Sequence, residues 1–146
     1  DSPGHARHHL AYQVSDLLLC GDVAAVRLPG QGNALSVPAP PPEFEREVWL
    51  ATIDKLAALP VSALYLTHFG RVDTVSSHWQ ELRERIVEVS DFVGQRLGTE
   101  RDALVAEYTQ WQRSMLGDEA TFDRYEQANP LFMSVDGLLR YWRKRS

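Results

Sequence analysis

A chain of 146 residues, 44% hydrophobic and 24% charged, has the size and composition of one soluble globular domain. Its net charge of −5 argues against a nucleic-acid partner, and the basic tail Arg140, Arg143, Lys144 and Arg145 is a short cluster suited to a helix C-terminus. No apolar run approaches a membrane span and no signal peptide is visible, so a cytoplasmic protein with no membrane partner is expected.

The chain opens on Asp1 rather than Met, as a processed product or a piece of a longer protein would. Leu10, Tyr12 and Val14 alternate with Ala11 and Gln13, the two-residue period of a half-buried strand, and Ser15-Asp16 forms a turn. Leu17 to Cys20 is a continuous apolar strand ending at Gly21-Asp22, with Cys20 as a buried core thiol and no second cysteine to pair with. Ala24 to Leu28 is a third candidate strand, closed by Pro29-Gly30. Residues 29–42 hold Pro29, Pro38, Pro40, Pro41 and Pro42, five of the eight prolines, and read as a long loop. A helix starting near Pro42 and Glu43 carries Trp49, Ile53 and Leu56 on its apolar side and ends at Pro60. Val61 to Leu66 is then a short buried strand finishing at Thr67-His68, and the strand–helix–strand order implies a parallel pairing.

From Val72 the pattern is helical. Trp79, Leu82, Ile86, Val89, Phe92, Val93 and Leu97 recur at intervals of three and four among charged residues. Gly98 marks a stop and Thr99 a candidate cap. Leu104, Tyr108, Trp111 and Met115 make a second core stripe ending near Gly117; Phe122 and Tyr125 lie on a shorter helix broken at Asn129-Pro130. A last helix from about Ser134 carries Leu138, Leu139 and Trp142. Gly94 reads equally as a close helix contact or a tolerated glycine. His78 is expected to be solvent-exposed or in a polar contact at a helix start. Gly30-x-Gly32 is no phosphate-binding fingerprint, because no helix start follows it.

Three potential metal donors stand where strand-like segments meet turns: His5 after Pro3-Gly4, Asp22 after Gly21, and His68 after Thr67. A hydrolytic metal site needs such imidazole and carboxylate groups on turns held by a rigid sheet. Ser2-Pro3-Gly4-His5-Ala6-Arg7-His8-His9-Leu10 resembles the Pro-Gly-His motif of the metallo-β-lactamase superfamily. Leu18-Leu19-Cys20-Gly21-Asp22 is similar to its Gly-Asp motif, and Leu64-Tyr65-Leu66-Thr67-His68-Phe69-Gly70 to its last motif. The resemblance covers about residues 1–70. It implies that His5 binds one metal, His68 a second, and Asp22 bridges the two. His9, four residues after His5, is assigned an orienting role behind the ligands. The two ions would be divalent, zinc by preference, with iron or manganese accepting the same donors.

The family's richest motif, His-x-His-x-Asp-His, does not occur in this chain. The resemblance is therefore to the C-terminal half of an αββα metallo-β-lactamase sandwich: an α/β chain with a small mixed sheet followed by a helical C-terminal region. Residues 1–72 are expected to form a sheet-bearing half-domain with the ligand motifs, and 73–146 a helical region packed on it. Taken alone, this chain offers each ion two donors, fewer than a stable zinc site takes, so the isolated chain is expected to be inactive and need bind no metal. Its expected partners are an N-terminal half or a second copy, laid on the sheet face that helices leave open, and a small-molecule substrate. The implied function is hydrolysis of an ester, thioester or lactam-like substrate by a water activated between the metals. The competing reading is a non-catalytic fragment or helical interaction module that self-associates and keeps relic ligands.

Overall fold

The computed structural model describes residues 1–28, 34–68 and 70–145. Pro29-Gly30, the Gly30-x-Gly32 pair and Phe69 of the last motif lie outside the described residues. Strands β1 (Tyr12–Val14) and β2 (Leu17–Gly21) come first, joined by the Ser15-Asp16 turn, in which Ser15 has φ 55°. Helix α1 (Arg46–Ala57), β3 (Ala63–Leu66) and β4 (Arg71–Val72) follow, then α2 (Val75–Gly94), α3 (Arg101–Leu116), α4 (Glu119–Ala128) and α5 (Leu131–Arg143). The class is α/β, with a small mixed sheet and a helical C-terminal region.

The sheet order is β1-β2-β3-β4, with β2 and β3 parallel and both outer pairs antiparallel. The β2–α1–β3 crossover forces that central parallel pair, because a chain returning over a helix enters the sheet in the same direction. Register then sorts side chains into two faces. Leu18, Cys20, Leu64, Leu66 and Val72 point inward and join one buried cluster with Trp49, Ile53, Trp79 and Leu82. Tyr12, Leu19, Tyr65 and Arg71 form a row across all four strands on the other face. There Tyr12 is 59% and Leu19 43% exposed, with Val14 also exposed beside them.

The helices bury the stripes their spacing predicts. Trp49, Ile53 and Leu56 of α1 are buried, as are Trp79, Leu82, Ile86, Val89 and Val93 of α2. In α3 the stripe differs from the expectation: Met115 is exposed and Gln112 and Leu116 take the buried positions, so the buried row keeps a four-residue step from Leu104 through Tyr108. The α3 cap is Glu100, whose carboxylate accepts from the Asp102 and Ala103 amides, rather than Thr99. The last helix begins at Leu131, three residues before Ser134. Gly94 is a close contact, since a Cβ there would stand 2.5 Å from the Trp142 ring.

The expected third strand is reduced to one antiparallel bridge, Val26 with Ser36. Asp22–Ala24 forms a 3-10 turn instead, and Ala25 follows with φ 59°, which breaks any ladder at that point. The proline-rich segment is a loop in its described part, as expected, but an inner one. Leu35, Ser36, Val37 and Ala39 are buried, and helices from the far end of the chain hold them. Tyr125 donates to the Ala34 carbonyl and accepts the Leu28 amide, Asn129 donates to Ser36, and the Ala39 amide donates to Ser134. These buried polar side chains satisfy the backbone groups that the irregular segment cannot pair with itself.

Candidate metal centre

Because β2 and β3 run parallel with Gly21 opposite Leu66, both strands end at the same sheet edge. Side chains just past their C-termini therefore meet. Asp22 leaves β2 through Gly21, at φ 59°, and His68 leaves β3 in a turn closed by a 2.8 Å hydrogen bond from the Leu66 amide to the Gly70 carbonyl. His68 Nε2 lies 3.4 Å from Asp22 Oδ1.

His5 arrives from the opposite side. Gly4, at φ 132°, lets the chain press against the first turn of α1, where a Cβ would collide with the Trp49 backbone. The Glu45 amide donates to the Gly4 carbonyl. His5 Nδ1 donates to the Pro38 carbonyl at 2.9 Å, and its ring meets the Trp49 ring edge-on. With Nδ1 carrying that proton, Nε2 is the nitrogen turned to the site, 3.7 Å from Asp22 Oδ2. The two imidazoles thus face opposite oxygens of one carboxylate.

His9 plays a different part. Its Nε2 accepts the Asp22 amide at 3.0 Å and its Nδ1 donates to the buried Ser2 hydroxyl at 2.8 Å. Both ring nitrogens are committed, and the ring is a neutral clamp on the Asp22 backbone. Burial first, then the neighbouring His5, lowers its pKa from the ordinary histidine value. Gly21 is required twice over: for its left-handed backbone and because a Cβ would stand 2.5 Å from His9 Nε2. His8 points to solvent and pairs with Glu43 at 3.3 Å, at the mouth of a cleft of about 350 Å³ lined by His5, His9, Asp22 and Pro40 to Pro42. The Arg7 amide, donating to Glu43, holds that carboxyl below its usual range.

Asp22 Oδ1 is buried and accepts no hydrogen bond among the described residues. A carboxylate oxygen without a hydrogen-bond donor is open to a cation. The donor types fit divalent zinc, iron or manganese. The set is also open: among the described residues, no group of three or more His, Cys, Asp or Glu side chains is placed to hold a metal ion by itself. His5 stands against Oδ2 and His68 against Oδ1, so the two imidazoles share one carboxylate.

Two side chains of this region escape a reading for donors alone. Trp49 Nε1 donates to the Val23 carbonyl at 2.9 Å, and His78 Nε2 donates to the Ala24 carbonyl at 2.9 Å. His78 is fully buried, not exposed; the polar contact it makes is with the 3-10 turn rather than with its own helix start. Its position four residues before Leu82, on the buried stripe of α2, is the sequence signal for this.

No family model matches the chain. Over 71 residues, 49% of its length, it is 30% identical to the metallo-beta-lactamase fold-containing protein ST1585 of Sulfurisphaera tokodaii, of which it spans 26%. The crystal structure of the metallo-beta-lactamase family protein TTHA1429 from Thermus thermophilus superimposes on 99% of the chain with a TM-score of 0.63 at 21% identity. The chain covers 42% of that protein and shares the fold of that part. The crystal structure of ST1585 from Sulfolobus tokodaii matches 57% of the chain and 30% of its own length, with a TM-score of 0.49 and 25% identity.

Proposed function

We propose that this chain, which is related to the metallo-β-lactamase superfamily and folded as part of one of its proteins, supplies half of a binuclear metal centre in a hydrolase of small ester-, thioester- or lactam-like substrates. One observation carries the reading: His5 and His68 face opposite oxygens of Asp22, and one of those oxygens is buried without a hydrogen bond. His5, Asp22 and His68 would hold the ions. Divalent metal bound there would polarise a scissile carbonyl and lower the pKa of a water at neutral pH.

The chain's own groups do the rest. The Pro38 carbonyl orients His5, and His9 fixes the backbone of Asp22, so neither ligand must be reorganised when metal arrives. Proline rings of Pro40 to Pro42 wall the cleft and limit water on that side. The remaining donors would come from a segment bearing His-x-His-x-Asp-His, in the same polypeptide or in a separate one. That segment would lie over the Tyr12, Leu19 and Tyr65 face, whose apolar side chains favour a covering layer.

A native mass spectrum of the protein, with activity against thioester and ester substrates, tests the reading. About two divalent ions per complete centre are expected, with turnover lost on chelation and restored by zinc. Asp22→Ala should abolish both metal uptake and turnover. Metal-dependent turnover that survives Asp22→Ala overturns the assignment. A second reading, a non-catalytic module that pairs through the sheet face, draws on the exposed Tyr12, Val14 and Leu19 side chains. It predicts a metal-free homodimer.

A further inference from the structure

The 3-10 turn that carries Asp22 is gripped at three consecutive residues by three ring nitrogens. His9 accepts the Asp22 amide, Trp49 donates to the Val23 carbonyl, and His78 donates to the Ala24 carbonyl. The three come from separate parts of the chain: the N-terminal turn, α1 and α2. The turn is also bounded by two left-handed residues, Gly21 at φ 59° and Ala25 at φ 59°. Ala25 is fully buried, with ψ −165°, in a region of conformational space that residues other than glycine enter only when the surroundings impose it. Strain of this kind marks a segment whose shape the rest of the molecule dictates.

Resting on the reading of Asp22 as a metal ligand, we propose that Trp49 and His78 are positioning residues that set where the Asp22 carboxylate stands. Neither faces the donor oxygens. Trp49 performs two tasks at once, because the ring that donates to Val23 also supports the edge of the His5 ring. It therefore ties the spacing of His5 to that of Asp22. His78 reaches the turn from α2, and its Nδ1 has no hydrogen-bond partner among the described residues, so its single polar contact is the one with Ala24. A histidine buried for packing alone would not need to direct its one hydrogen bond there. His78 couples the long helix to the ligand turn.

Two substitutions isolate the bonds. Trp49→Phe keeps an aromatic ring and removes the donor; His78→Leu removes the donor, while His78→Gln keeps an N–H near the position of Nε2. The first readout needs no metal. The Ala25 amide, bonded to the Asp22 carbonyl at 2.9 Å, reports whether the turn is closed. In chelator-treated protein, its hydrogen exchange should quicken roughly tenfold in Trp49→Phe and His78→Leu and return toward wild type in His78→Gln, as expected for losing one buried hydrogen bond. Exchange at Leu82, within α2, should not change. The second readout is titration with cobalt(II), whose visible absorption reports donor number and geometry. Affinity should fall roughly tenfold in the first two variants, with altered bands, and recover in His78→Gln.

Unchanged Ala25 exchange in both donor-less variants, or unchanged cobalt affinity and bands in both, overturns the proposal. If Trp49→Phe does not fold, the His78→Leu and His78→Gln pair decides it. The titration is run with the segment that supplies the remaining donors present; wild-type protein that takes up no cobalt in that complete centre overturns the metal reading, and the exchange measurement alone then decides whether the turn is clamped.

Discussion

His78 concentrates the physical chemistry of this molecule in one side chain. Burial pushes its pKa from about 6.5 down to about 4, since charging it would strand a cation in the core. A histidine whose folded pKa is depressed binds fewer protons than the unfolded chain between those values, so stability rises with pH across that window. Lowering pH from about 6.5 to about 4 should cost up to about 3 kcal/mol from this group. His9, shifted in the same direction, adds to the slope. His78→Gln removes only the His78 part, so denaturant midpoints at about pH 4.5 and about pH 7 should lie closer together in that variant than in wild type. Gly21→Ala acts at the opposite end of the turn. It forces alanine into a left-handed conformation and drives a methyl toward His9, which should destabilise by about 2–3 kcal/mol in urea melts. Cys20 belongs to the inert residues: burial raises its thiol pKa to about 12, and a thiol reagent should leave it unmodified in the native state.

Among the secondary-structure elements, α5 and the buried segment 34–39 depend on each other most. Gly137 lets the α5 backbone touch the Ala39 carbonyl: a Cβ would collide with that oxygen, and backbone on both sides leaves nothing flexible to move. Gly137→Ala should therefore cost about 3 kcal/mol or more, read as a lower melting temperature. It should also disturb His5, because the Pro38 carbonyl that orients the ring sits one residue before Ala39. Glu100→Ala, which removes the side-chain cap of α3, should cost only about 1 kcal/mol and leave the site intact. Comparing these two variants separates packing that supports the site from packing that supports a helix end.

For the molecule as a whole, the asymmetry of the sheet dominates. Its inner face is sealed in a single core with the helices, whereas Tyr12, Val14 and Leu19 lie exposed on the outer face. At about 25 cal/mol per Å² of apolar surface, covering such a face supplies a strong drive for association. On the proposed covering of this face, replacing Tyr12 and Leu19 together by lysine should weaken the association without touching the core. Sedimentation velocity should then show a shift toward the smaller species. No helix among the described residues is long and apolar enough to cross a membrane.

Much of this architecture is written locally. Two-residue alternation locates β1, although all three of its residues are exposed rather than half-buried; three-and-four spacing places the buried faces of α1 and α2, and the β2–α1–β3 order implies the parallel pair on which the proposed centre depends. The candidate donors His5, Asp22 and His68 also stand out, because His5 follows a Pro-Gly turn and Asp22 and His68 stand at the ends of apolar runs. Nothing local, however, encodes the bonds that hold those donors. Pro38 reaches His5 across 33 positions, Trp49 reaches Val23 across 26, and His78 reaches Ala24 across 54. Such pairings arise when distant segments pack and their buried polar groups must find partners, so in the linear chain Trp49 looks like ordinary core, Pro38 like loop and His78 like an exposed helix start. The same holds for Ala24 to Leu28, whose apolar run reads as a strand. In the fold Ala24 ends a 3-10 turn and Ala25 takes φ 59°, where side chains from distant segments satisfy the backbone, and the run keeps only the bridge from Val26 to Ser36.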